Sequence, residues 1–73
     1  MTYEDRALKK LGNRIKKFRL EHRFSQEGFA VEAGLARSYY GGVERGERNL
    51  SFKTLVKIAK KLNLTVSDLC QGI

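Results

Sequence analysis

The stretch SQEGFAVEAGLARSYYGGVERGER, Ser25 to Arg48, divides at its glycines into two short helical segments. Ser25 is a good N-cap, because its hydroxyl can accept from an orphan N–H of the following turn. Phe24 before it and Phe29 after it have the spacing of a hydrophobic staple. The pattern predicts a helix over Gln26–Ala33 that stops at Gly34, a residue free to enter the left-handed region. Gly28 stands where a capping-box glutamate would help, so this cap is incomplete. A second helix is expected from Ala36 or Arg37 to about Arg45, ended by Gly46. It contains Tyr39-Tyr40-Gly41-Gly42, and each glycine inside a helix costs roughly 1 kcal/mol relative to alanine. Two short helices joined by a turn of about four residues form a helix-turn-helix pattern at about residues 25–45.

On the N-terminal side, Leu8, Leu11, Ile15 and Phe18 recur at three- and four-residue intervals. They predict an amphipathic helix from about Asp5 to His22. Its other faces carry Arg6, Lys9, Lys10, Arg14, Lys16 and Lys17. The aliphatic face is short and lacks tryptophan, so packing on a core is expected in preference to a membrane surface. On the C-terminal side, Ser51 caps SFKTLVKIAKKL, in which Leu55, Ile58, Ala59 and Leu62 share one face. Thr65 and Asp68 have capping-box spacing and open a short fifth helix through Leu69 and Cys70. No strand pattern, internal repeat or linker interrupts this series. The chain is expected to be all-α with five helices, a single helix-turn-helix domain over residues 1–73.

Fifteen Lys and Arg against eight Asp and Glu give a net charge of +7 in 73 residues. That excess creates a field favouring polyanions, nucleic acid first and an anionic membrane second. One cysteine excludes an internal disulfide or a four-thiolate metal site. One His and scattered carboxylates supply no catalytic triad, metal-ligand spacing or phosphate-binding loop, so neither catalysis nor a cofactor is expected. No apolar run reaches the length of about 20 residues that spans a bilayer. A cytoplasmic protein with no membrane partner and no small-molecule ligand is the expectation.

From LGNRIKKFR to KIAKKLNLTVSDL, and above all at residues 25–48, the sequence resembles the lambda-repressor-like family of helix-turn-helix regulators, also called Cro or XRE. Ser25, Gln26, Ala30, Gly34, Glu44, Arg45, Gly46 and Glu47 fall where that family's motif expects them. The run RSYYGGVERGERN is most similar to the controller proteins of restriction–modification systems, small homodimeric regulators of endonuclease expression. Three features depart from the family pattern. There is no proline near Leu50, Arg23 replaces a glycine at the first helix end, and Ala36 replaces a polar N-cap.

The resemblance implies roles for individual residues. The second helix of the motif would enter the major groove, with Arg37, Ser38 and Tyr39 at base-reading positions. Gln26, Arg45, Arg48 and Asn49 would meet phosphates. Tyr40 matches an inward-pointing position; a core-edge ring is the stronger reading, with its hydroxyl reaching solvent or phosphate. Gly42 would let the backbone approach DNA or a neighbouring helix, whereas the alternative is a glycine tolerated in a frayed turn. Arg19 and Glu44 match an ion pair that ties the first helix to the third.

Val66, Leu69, Cys70 and Ile73 place apolar surface at the C-terminal end and are expected to form a dimer interface. The function expected is a homodimeric transcriptional regulator on a palindromic double-stranded DNA operator. The alternative is an antitoxin-type regulator whose main partner is a toxin, which the short stretch after the fifth helix disfavours.

Overall fold

A computed structural model describes residues 1–73. Five helices follow one another without a strand: α1 (Tyr3–Glu21), α2 (Gln26–Ala33), α3 (Arg37–Glu44), α4 (Phe52–Lys61) and α5 (Val66–Leu69). The first begins two residues earlier than its apolar spacing predicts. Thr2 and Asp5 form a reciprocal capping box there, which holds the opening turn. Ser25, Ser51 and Thr65 cap α2, α4 and α5, each accepting from the N–H three residues on. Ala36 at the start of α3 offers no side-chain cap. None of the helices is long and apolar enough to cross a membrane.

The first four helices end in the same way. Arg23, Gly34, Gly46 and Asn63 take positive φ, and the residue after each donates back five positions. This is the Schellman closure, which satisfies orphan carbonyls and turns the chain sharply. Arg23, at φ 61°, carries a steric cost of about 1–2 kcal/mol that glycine would avoid. The following residue at three of these ends is apolar: Phe24, Leu35 and Leu64 all pack against the core. Those three helix ends therefore also supply a core side chain, which a chain this short needs.

The core is built on Ile15, Phe29, Tyr40, Val43, Ile58, Leu62 and Leu69, all essentially without solvent contact. Phe29 lies between two rings, 5.4 Å from Phe24 edge-on and 5.2 Å from Tyr40 by centroid. Leu69 belongs to this interior, and that corrects its place in the expected dimer interface. The side chain of so short a helix as α5 must fill the core to hold the helix down. Val66 and Cys70 are half-buried at the core edge, and Ile73 is exposed. Arg14 completes the attachment. Its guanidinium donates to the carbonyls of Asp68 (2.7 Å) and Leu69 (2.9 Å) and lies over the Phe18 ring.

α1 crosses α3 at Gly12. A Cβ at that position would stand 2.5 Å from the Glu44 carbonyl oxygen and 2.6 Å from that of Val43. Backbone atoms cannot move aside as a flexible side chain can. Although alanine improves helix propensity by roughly 1 kcal/mol, Gly12→Ala is expected to destabilise the protein by a net of about 1–3 kcal/mol. Urea denaturation measures it; unchanged stability would show that the two helices separate freely.

Candidate nucleic-acid interface

Glu44, the last residue of α3, puts a carboxylate inside the protein with only 6% of the residue exposed. An unpaired charge there would be costly. Arg19, equally buried, meets it with a two-pronged contact: Nε to Oε2 at 2.6 Å and Nη2 to Oε1 at 3.0 Å. Gln26 Nε2 donates to Oε1 at 3.1 Å, and the Tyr40 hydroxyl donates to Oε2. The third Arg19 nitrogen, Nη1, donates to the Phe24 carbonyl at 2.8 Å. One carboxylate thus gathers α1, the start of α2 and both ends of the last turn of α3.

The titration behaviour follows from this arrangement. The hydrogen bond it donates to Glu44 raises the Arg19 guanidinium above its ordinary value, against the effect of burial. Burial, then the bond to Glu44, pushes the Tyr40 phenol up, so its hydroxyl stays a donor. Burial alone would raise the Glu44 carboxyl, but the bonds from Arg19, Tyr40 and Gln26 bring it below the ordinary range.

Around this interior runs an exposed polar face. Gln26, Arg37, Ser38, Gly41 and Arg45 line an open groove of about 460 Å³. Arg37 and Ser38 are exposed at the N-terminal end of α3, where Arg37 Nη2 lies 3.4 Å from Glu27 Oε1. Tyr39 is half-buried and donates from its hydroxyl to the Asn49 carbonyl at 3.0 Å. Arg45 and Arg48 are exposed on the segment after α3, with Arg45 Nε 3.0 Å from Glu47 Oε1.

Two assigned roles are corrected by this geometry. Tyr40 cannot reach a phosphate: its ring is wholly enclosed and its hydroxyl is committed to Glu44. Gly42 does not lay bare backbone for DNA. It is buried, and a Cβ there would lie 2.8 Å from Cγ of Arg48, which folds across it. Gly41 is covered in the same manner by Arg45 Nη1 and Gln26 Oε1, at 3.2 and 3.4 Å from such a Cβ. The paired glycines make room for long polar side chains of the protein itself.

Other contributors escaped the sequence reading. Gly12 sets the α1–α3 spacing, and its signal was a lone glycine beside Leu11 on an otherwise apolar face. Glu27 is the partner of Arg37, and only a side-chain position in space reveals that.

A helix-turn-helix family model matches residues 15–69. The chain belongs to the Cro/XRE-type helix-turn-helix family. It is a transcriptional regulator of this DNA-binding, non-enzymatic class, whose members bind double-stranded DNA. Among its relatives is the control protein C.MunI of a Mycoplasma species, 43% identical over 88% of this chain and 88% of that protein. The crystal structure of the restriction–modification controller protein C.AhdI from Aeromonas hydrophila is also similar. It has a TM-score of 0.82 and 44% identity, covering 85% of this chain and 94% of that one. The biofilm master regulator SinR, solved in complex with DNA, matches with a TM-score of 0.77 and 37% identity, over 81% of this chain and 95% of that one.

Removing one member of the buried pair strands the other. Glu44→Ala is therefore expected to destabilise the fold by about 3–5 kcal/mol, with much of the loss recovered when Arg19 is also replaced by an apolar residue. Because the Glu44 carboxyl is depressed on folding, its contribution is complete above the unfolded carboxylate value, about 4.3. It fades as pH falls through the lowered folded value. Denaturation of wild type and Glu44→Gln at pH 7 and pH 3 should show the stability gap narrowing in acid. A gap independent of pH would mean the carboxylate is not paired.

Proposed function

We propose that the protein is a homodimeric, sequence-specific regulator of a palindromic operator, and within that class the controller of a restriction–modification system. The observation that carries this reading is the groove at the start of α3, where Arg37 and Ser38 stand exposed beside Gln26 and Arg45. A guanidinium so placed can pair with both O6 and N7 of guanine, worth about 1–3 kcal/mol of discrimination. Tyr39, tethered to Asn49, would meet the central bases alongside it. Gln26 and Arg45 line the same groove, and together with the exposed Arg48 and Asn49 that follow α3 they would fix register on phosphates. The similarity to C.MunI and C.AhdI supports the controller assignment.

The dimer would form through the α4–α5 side. Val56, Ala59, Leu64 and Val66 line an open groove there; Cys70 is half-buried just after α5, and exposed Ile73 lies beside Tyr3 and Ala7 of α1. A two-fold arrangement would set the recognition helices about 34–36 Å apart, one turn of DNA.

Selection of bound sequences from a random duplex pool, at stated salt, tests the reading. A two-fold symmetric motif is expected, with dimers in sedimentation; absence of any preferred sequence would overturn it. Arg37→Ala should relax base preference at one position per half-site. Arg48→Ala should weaken binding to all duplexes alike and reduce the salt slope by about 1. Identical sequence profiles for the two variants would overturn the division of roles.

A further inference from the structure

A second open polar cleft, of about 340 Å³, lies on the α1 side of the recognition groove. Its walls are Lys9, Asn13 and Lys16 from α1, with Gln26, Glu44 and Arg45. Gln26 and Arg45 also line the groove at the start of α3, so the two depressions meet along these shared side chains. Lys9, Asn13 and Lys16 recur on one face of α1 and are all exposed. The single carboxylate in the cleft is Glu44, and both its oxygens are occupied by Arg19, Tyr40 and Gln26. Its charge is balanced within the protein by Arg19. The ammonium groups of Lys9 and Lys16 have no carboxylate partner. Lys9 has only a 3.5 Å contact to the Arg45 carbonyl, at the limit of a hydrogen bond.

We propose that this cleft is a second phosphate clamp, in which Lys9, Asn13 and Lys16 grip the DNA backbone beyond the stretch met by Gln26 and Arg45. The inference rests on the duplex-binding reading above and lengthens the footprint that α2 and α3 alone would give. The convergence of two unpaired ammonium groups, an amide donor and the Arg45 side chain around one opening suits a phosphodiester. Such a contact is blind to sequence, because phosphates carry no base identity. α1 would contribute affinity and salt dependence and leave base preference to α3.

The experiment compares wild type with Lys9→Gln/Lys16→Gln. Glutamine keeps the aliphatic part of Lys9 that packs beside Gly46. Thermal unfolding should show the double variant folded, since both side chains are exposed. Its plot of log affinity against log salt is expected to be shallower by about 1–2, at 0.9 per phosphate, with the preferred sequence unchanged. Phosphate-ethylation interference should lose one or two positions per half-site. A charge-matched variant of α4, Lys57→Gln/Lys61→Gln, should keep the wild-type slope and interference pattern.

An unchanged slope and pattern in the folded α1 variant overturns the clamp while leaving the duplex-binding reading intact. An equal loss in the α4 variant also overturns it, because net charge then accounts for the effect. A wild-type protein that shows no duplex binding overturns both.

Discussion

The Glu44 carboxylate imposes the constraint on which the helix arrangement depends. A buried negative charge is tolerated only when paired and saturated with donors, and here the donors come from three helices. Arg19 must lie across the end of α3, Gln26 must open α2 beside it, and Tyr40 must rise from one turn earlier. Meeting these demands leaves few ways to lay α1 over α3. Gly12 removes the remaining obstacle by letting the two backbones approach. Such a network adds less to net stability than its count of bonds suggests, because desolvation opposes it. Its main physical effect is orientation: the helix that presents Arg37 and Ser38 is held at its far end by an interaction that tolerates little rotation.

Side chains that hold the α3 end also line the exposed groove beside it. Gln26 holds the carboxylate with its nitrogen while its oxygen covers Gly41, and Arg45 and Arg48 lie over the glycine pair. The propensity lost at Gly41 and Gly42, roughly 1 kcal/mol each, makes room for long polar side chains that sit close on the α3 backbone. Their charged ends remain at the surface, available to a polyanion, while their stems shield the helix. A side chain larger than hydrogen at Gly42 would push Arg48 aside. The glycines thus position cations, and the field of a +7 chain gains a definite geometry on one face.

Sequence reading reached much of the fold because its signals are local. Serine or threonine caps at Ser25, Ser51 and Thr65, a glycine at Gly34 and Gly46, and apolar spacing along α1 and α4 each depend on neighbours within one turn. Where the signal was local but unread, as with Thr2 and Asp5, the boundary moved by two residues. Positive φ at Asn63 escaped for a different reason: only the chain's sharp turn into α5 requires it.

By itself, then, the sequence determined five helices, their order, the basic character of the surface and, through resemblance, the family. What it could not decide is which way side chains turn once helices meet. Tyr40 and Tyr39 are adjacent, yet one is sealed in the core and bonded to Glu44 while the other reaches the Asn49 carbonyl at the surface. Leu69 and Ile73 belong to one apolar cluster in the sequence, but the first fills the interior and the second is exposed. Arg14 sits among surface cations along α1 and nevertheless turns to α5. Each outcome depends on contacts between residues far apart in the chain, where a rotation of a single helix decides between core, interface and solvent. Helix periodicity limits that rotation to a face, and tertiary packing selects the side chain.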